Sequence, residues 1–347
     1  MNNKTNEVQL IVAIWMITFN HENFIEQAVE SVMMQKTNFK YKLFIGEDFS
    51  TDKTREICIG LKEKYPNKIE LLLQSENIGG YKNAQDLYKK CYESGAKYIA
   101  MCEGDDYWTD PLKLQKQVDF LEENLEFVVS YHNAMVIDEK GEIINKSKLS
   151  PSFQTDYTSS ELKCGGNLLT LAVLFRNVKW YKNLFNKTDR VVNGDTFLFT
   201  ILGEYGHAKY DGSIKPAVYR SHFGGVWSGL NAIDKFLASS YTFHELSKYF
   251  SDKGDLQPLK CLQVKEENYL VRSINNCLAQ GLYERASDIL HSEKSTLLDY
   301  DLEKEKISIF RKNDFAFIIA VIFKFKILRN MTNKELMKSI YTKLFNF

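Results

Sequence analysis

The sequence predicts an α/β protein built on a mostly parallel central sheet flanked by helices, followed by a helical C-terminal region. Two patterns carry this. Over residues 1–132, short apolar runs alternate with segments of about 12 residues whose apolar positions recur at helical spacing, the pattern of βαβ units. From about Ile233 onward Gly becomes rare and helical periodicity runs to the end.

Residues 8–17 form a near-continuous apolar run, which predicts a strand buried on both faces. Residues 22–35 follow, with Phe24, Ile25, Ala28, Val29, Val32 and Met33 at helical spacing. The alternation continues with a strand over 41–45, a helix over 54–65 closed by Pro66, and a strand over 69–73. A helix over 84–94, a strand over 98–102, a helix over 112–123 and a strand over 127–131 complete it. The stretch 133–232 is less regular. It predicts a hairpin turning at Glu139, Lys140 and Gly141, a strand near 170–175 and a helix starting near Asp195. A further segment, 208–219, leads into a Gly-rich run at 222–229. A soft boundary then separates a first domain, 1–232, from the helical region, 233–347.

Lys plus Arg and Asp plus Glu both total 45 in the 347 residues, so the formal net charge is zero. That argues against a general nucleic-acid binder, which carries a basic excess. The balance is uneven along the chain. Residues 311–347 hold eight basic and two acidic side chains, a local charge of +6 against −6 for the rest. Inside that tail, 315–328 joins a nine-residue apolar run to Lys324 and Lys326, with Arg329 next to it. The run is too short to span a bilayer. It fits either a segment lying in a membrane interface or a helix buried in a bundle. Six cysteines, at 58, 91, 102, 164, 261 and 277, form no CxxC pair. Neither a zinc site nor a disulfide framework is expected in a chain this long. The first ten residues lack the apolar run of a signal peptide. The expectation is a reduced, cytoplasmic protein.

In an open parallel sheet, ligands bind beyond the carboxyl ends of the strands. Four polar clusters fall there: residues 18–22, 47–52, 77–80 and 103–106. The edge they define is acidic, which suits a phosphate delivered with a divalent cation better than a bare phosphate. Glu103, Asp105 and Asp106 are three carboxylates in four residues after an apolar strand, and they repel one another unless a cation or protons neutralise them. Helix capping explains Asp110, before Pro111, but not these three. Asp48 is placed to accept hydrogen bonds from a base or ribose, whereas Asp52 fits a capping turn before Thr54. His222 follows a predicted strand and precedes Gly224 and Gly225, which allow close backbone approach. Beside an acidic cluster its imidazole is a candidate metal ligand. Asp195 reads equally as a helix N-cap or as a general base.

These residues resemble the family 2 glycosyltransferases, inverting bacterial enzymes with the GT-A fold, over roughly residues 8–230. Thr18, Phe19 and Asn20 look like the family's Thr-Tyr-Asn, with Phe19 keeping the ring that stacks on the nucleobase and losing its hydroxyl. Glu22 lies in the same loop. Glu47, Asp48, Ser50 and Asp52 are similar to the family's Asp-Asp-x-Ser-x-Asp, with Glu47 replacing the first Asp. Asn77, Gly79 and Asn83 match the loop near ribose and phosphate, with Lys82 where a basic residue is common. Glu103, Gly104 and Asp105 stand in the place of the DXD motif that holds Mn²⁺ or Mg²⁺ on a sugar diphosphate. The resemblance implies a metal site of Glu103, Asp105 and His222, and Asp195 as catalytic base. It also implies Trp108 and Trp227 as rings that stack on sugar. The implied reaction is a single displacement in which an acceptor hydroxyl attacks a nucleoside-diphosphate sugar, with UDP favoured. The acceptor would be a glycan or a lipid-linked saccharide, as in surface polysaccharide synthesis.

Two other classes compete. A nucleotidyltransferase making nucleotide sugars also sets acids and Mg²⁺ on such a sheet, but it carries a Gly-rich basic loop after its first strand, and residues 18–23 are neither. A non-catalytic binding or assembly subunit would suit the helical region, but Asp48, Asp105, Asp195 and His222 together argue against decay.

Overall fold

The central strand β1 (Leu10–Thr18) is apolar at almost every position, and the fold follows from burying it on both faces. The computed structural model describes residues 9–178 and 193–289, apart from 223, 226, 228, 283 and 287. β1 pairs in parallel with β2 (Lys40–Glu47) on one side and β4 (Tyr98–Met101) on the other. β3 (Ile69–Leu73) extends the sheet beyond β2. Helix α1 (Ile25–Met33) buries Ile25, Ala28, Val29 and Val32, one stripe at helical spacing, in the same core as Val12, Ile14 and Met16. Helices α2 (Thr54–Lys64), α3 (Gly80–Glu93) and α4 (Lys113–Glu123) make the remaining crossovers.

Past β4 the order is no longer sequential. The seven-stranded sheet runs β3-β2-β1-β4-β8-β5-β9, where β5 is Phe127–Tyr131, β8 Leu174–Arg176 and β9 His207–Tyr210. β8 is antiparallel to both neighbours. The stretch predicted as a strand over 170–175 opens instead as a 3₁₀ turn, Thr170–Ala172, before this short strand. Gln117 braces the insertion, donating to the carbonyls of Ser130 and Ala172. A second sheet of three strands, β10-β6-β7, holds the hairpin β6 (Ala134–Ile137) and β7 (Ile143–Asn145) expected around Gly141, with β10 (Ala217–Arg220) parallel to β6.

Helix α5 (Ser159–Lys163) begins with a Thr158–Glu161 capping box, and α6 (Gly194–Leu202) follows Asn193. Helices α7 (Ala232–Asp252) and α8 (Leu259–Ala279) make up most of the described C-terminal region. The chain divides into two units, Met1–Gly229 with Thr242–Leu262, and Leu230–Tyr241 with Gln263–Phe347. The second has its own core, with Ile233, Leu270, Ile274 and Cys277 buried, and an Asp234–Arg285 ion pair. No described helix is long and apolar enough to cross a membrane. The basic tail, 311–347, lies outside the described residues.

The cysteine expectation needs correcting. Cys164, just after α5, and Cys261, near the start of α8, form a disulfide with Cα atoms 5.7 Å apart. Their separation of 97 residues is why no local spacing revealed the pair. Cys58, Cys91, Cys102 and Cys277 are buried free thiols. Closing a loop of this length restricts the unfolded chain and stabilises by about 2–4 kcal/mol. Reduction, or Cys164→Ser, is therefore expected to lower the melting temperature by several degrees. Thermal denaturation with and without reductant checks this: the wild type should shift and the Ser variant should not.

Candidate active site

The site begins where β1 and β4 keep pairing beyond their formal ends. Cys102 donates its N–H to the Trp15 carbonyl at 3.0 Å, and Gly104 to that of Ile17 at 2.9 Å. This zips residues 102–104 against the end of β1 and sets Asp105 beside the 18–21 loop. Gly104 has to be glycine, because a Cβ there would sit 2.8 Å from both the Cβ and Oγ1 of Thr18 and 3.1 Å from His21 Nδ1. Thr18 is buried, and its Oγ1 lies 3.2 Å from His21 Nδ1, which orients that ring. The His21 backbone N–H donates to Thr54 Oγ1 at 2.7 Å.

A second set of bonds brings in the distant end of the chain. Tyr107 and Val218 exchange backbone hydrogen bonds at 3.1 and 2.8 Å, docking β10 against the acidic loop. The Arg220 N–H donates to Asp106 Oδ1 at 2.9 Å, and its Nε to the Asp105 carbonyl at 3.1 Å. Its guanidinium also reaches Gln27 Oε1 at 2.8 Å and covers the Phe24 ring. His222, two residues on, then lies with Nε2 at 2.8 Å from Asp105 Oδ2. Asp105 Oδ2 is also 3.9 Å from His21 Nε2.

His21, Asp105 and His222 each offer a ligand atom within 4.8 Å of the others, a donor set that fits a divalent ion. Glu103, expected beside Asp105 and His222, is not among these three. The resemblance ran through the DXD spacing and passed over His21, although it stands in the loop after the first strand. Its signal was the imidazole three residues after Thr18 at a strand end.

The electrostatics fit cation binding. Burial opposes ionisation of Asp105, but its hydrogen bond with His222 and the charges of His21 and His222 outweigh that and hold its carboxyl below the usual range. Burial, then the charges of Asp105 and Asp195, push Glu103 up to about 8, while Lys148 opposes the rise. Burial, with Asp105 and Glu103 adding, drives Asp106 well above its ordinary value. Asp106 Oδ2 is buried with no hydrogen-bond partner among the described residues. Asp106 therefore serves mainly to fix β10. Burial also lowers His21, which favours the neutral imidazole that binds metal.

Asp195 sits at the start of α6. Its Oδ1 accepts from the Thr196 N–H at 2.6 Å and its Oδ2 from Thr170 Oγ1 at 3.3 Å. Burial raises its pKa, with the Thr196 and Thr170 hydrogen bonds opposing. Its charge is one of those that raise Glu103.

The residues expected near the donor divide into two kinds. Asp48 is buried at the end of β2, where its Oδ1 accepts from the Ile78 N–H at 2.9 Å and its carbonyl from Asn77 Nδ2 at 3.2 Å. Burial raises its pKa, the N–H groups of Ile78 and Gly79 opposing. Gly79 takes φ +85° before α3, in the left-handed region that favours glycine. Phe19 and Trp227 are each 39% exposed. Asn20 Oδ1 accepts from the Thr51 N–H, and Glu22 Oε2 from the Lys53 N–H. Lys82 is exposed and paired with Asp86 at 2.6 Å.

Two expectations need correcting. Asn83 is buried, its Nδ2 donating to the Gly46 carbonyl and its Oδ1 accepting from Gln74, so it braces α3 on β2. Trp108 is only 2% exposed; its Nε1 donates to the Leu171 carbonyl at 2.7 Å and Lys113 covers its ring. An indole enclosed in this way offers no face to a sugar. A residue outside the expectations also stands out. Phe49 is 44% exposed with φ +58°, a backbone that costs a bulky side chain about 1–2 kcal/mol.

A mostly parallel seven-stranded sheet thus gathers a His–Asp–His cluster beyond the ends of β1 and β4. Residues 13–180 match the model of glycosyl transferase family 2. An uncharacterized protein of Mycobacterium tuberculosis is 32% identical over 220 residues, 62% of this chain and 60% of its own. The chain thus spans about 60% of that relative's length. The dTDP-rhamnosyl transferase RfbG of Shigella flexneri is 25% identical over 213 residues, covering 60% of this chain and 71% of RfbG. In fold, the chain is similar to S. aureus TarS 1–349, with a TM-score of 0.55 at 14% identity, covering 91% of this chain and 80% of TarS 1–349.

Two outcomes are expected. Gly104→Ala pushes Thr18 and His21 apart from the loop, and overpacking of this kind costs about 1–3 kcal/mol. Thermal denaturation should show that loss, and calorimetry should show weakened Mn²⁺ binding. The second concerns pH in chelator-treated protein. With the folded-state pKa of Glu103 at about 8 against an ordinary 4.5, the folded state holds the proton more tightly. The stabilisation is full below the ordinary value and is lost as pH rises through about 8. Stability should fall across that window, and more shallowly in Glu103→Gln. Denaturant melts at several pH values give the two slopes; identical slopes would refute the shift.

Proposed function

We propose that this domain transfers a sugar from a nucleoside-diphosphate sugar to an acceptor hydroxyl with inversion. A divalent cation, Mn²⁺ or Mg²⁺, would be held by His21, Asp105 and His222, where it neutralises charge on the diphosphate leaving group. Two imidazoles beside one carboxylate favour Mn²⁺, because Mg²⁺ prefers oxygen ligands. Asp195 takes the proton from the acceptor oxygen as that oxygen attacks the anomeric carbon. Its raised pKa, set by burial, moves it toward the range useful in a base. Thr170 and Thr196 hold the carboxylate in place. The buried Asp48 carboxylate, beside Phe19, is suited to accept from a nucleobase N–H. A pyrimidine nucleotide is supported by two similar proteins: RfbG is a dTDP-rhamnosyl transferase, and one TarS structure is a complex with UDP-GlcNAc.

The observation that carries the reading is the convergence of His21, Asp105 and His222 beyond the ends of β1 and β4. The acceptor is proposed to be a glycan or a lipid-linked saccharide at the cytoplasmic face of the membrane, with the basic tail, 311–347, as a peripheral contact. Flotation with anionic vesicles, comparing the full chain with one ending near Ile309, tests that contact. Loss of binding on truncation supports it.

Asp195→Asn tests the base. The amide keeps the acceptor oxygen for Thr196 and can donate to Thr170, so stability and nucleotide affinity should stay near wild type. Loss of general-base catalysis costs roughly 10²–10⁴-fold in rate. A transfer assay with Mn²⁺ and a panel of nucleotide sugars measures it, and wild-type turnover by the Asn variant would return Asp195 to a helix cap.

A further inference from the structure

Resting on the reading of a nucleoside-diphosphate sugar donor, we infer that Phe49 is a second stacking surface for the nucleobase, opposite Phe19 and preset before the ligand arrives. The loops after β1 and β2 are laced together rung by rung. The Asp48 N–H donates to the Thr18 carbonyl at 3.1 Å, the Asn20 N–H to Ser50 Oγ at 3.0 Å, and the Thr51 N–H to Asn20 Oδ1 at 2.9 Å. Phe19 lies between Thr18 and Asn20, and Phe49 between Asp48 and Ser50, so the two rings stand on loops that are tied to each other. Both are exposed, beside the buried Asp48 carboxylate.

The Phe49 ring is backed on one side. The Arg55 guanidinium lies 5.0 Å from its centroid, and Arg55 is itself fixed by Glu47 and by the Gln74 carbonyl at 2.6 Å. Glu47 is fully buried and also accepts from the Ser50 N–H, so the backing rests on the end of β2. One face of the ring therefore rests on an anchored cation. Meanwhile the backbone of Phe49 is held at φ +58°, where Gly or Asn would cost less. An aromatic that is strained and left half in water gains little for the folded chain. Strain of this kind is kept where the surrounding structure over-determines it for a task. A flat, backed ring beside a carboxylate acceptor is the surface a planar heterocycle with an N–H edge recognises.

The test measures binding of two probes in the presence of Mn²⁺ by calorimetry: UDP, which carries the base, and inorganic pyrophosphate, which does not. The variants are Phe49→Leu, which keeps an apolar side chain without a ring face, and Phe49→Gly, which also releases the strain. Loss of one base stack corresponds to roughly 5- to 100-fold weaker binding. Both variants should lose UDP affinity on that order and keep pyrophosphate affinity, and Phe49→Gly should melt higher than Phe49→Leu. Phe49→Tyr should retain UDP binding. Equal weakening toward both probes would make Phe49 structural and overturn the inference, as would wild-type UDP affinity in both variants. Wild-type protein that binds pyrophosphate and UDP equally would overturn the base contact while leaving the phosphate site standing. Wild-type protein that binds neither would remove the donor reading itself, and the inference with it.

Discussion

The close approach of Gly104 to Thr18 is the constraint on which the site depends. Parallel pairing of β1 and β4 carries the chain to Cys102, and one more backbone bond, Gly104 to Ile17, draws the acidic loop along the end of β1. Any side chain at 104 would occupy the space of the Thr18 hydroxyl and the His21 ring. The absence of a Cβ therefore sets the distance between His21 and Asp105, and with it the geometry of the cluster. A packing requirement inside the sheet becomes a chemical property at its edge.

Charge is managed around that contact by differentiation. Three carboxylates within four residues do not behave alike. Asp105 is held ionised by two imidazoles, Asp106 is buried and used by the Arg220 backbone, and Glu103 is lifted by burial and by its acidic neighbours. Repulsion that would oppose the fold is relieved where burial favours the neutral form of Glu103 and Asp106 and where His222 pairs with Asp105. The same arrangement leaves Asp105 as the anionic donor beside the two imidazoles. Arg220 joins Asp105, Asp106 and Gln27 and covers Phe24, so the loop and β10 are tied together.

Asn83 and Trp108 show where motif reasoning fails. Both occupy positions that a ligand-contact reading explains, and both turn inward. Asn83 spends its amide on Gly46 and Gln74, and Trp108 its N–H on Leu171. Polar groups that must be satisfied inside a protein look the same in sequence as polar groups reserved for a ligand. Phe49 is the reverse case. In sequence it is one of 23 phenylalanines, and only its positive φ, its exposure and the Arg55 behind it mark it out.

The sequence by itself determined the local order: the apolar run of β1, the spacing of α1 to α4, the hairpin at Gly141, and the four polar clusters at strand ends. Those features follow from burial and periodicity within a dozen residues, so they are written in the chain. The same holds for the placement of Asp48, Asp105 and His222 at or just beyond strand ends. Tertiary structure decided the rest. It inserted β8 antiparallel between β4 and β5, and it joined Cys164 to Cys261 across 97 residues. It brought His222 to Asp105 across 117 residues. It chose His21 over Glu103 as the third member of the cluster. Each of these depends on which segments pack together at long range. No local pattern encodes that, because the free energy of such contacts exists only once the whole sheet has closed around β1.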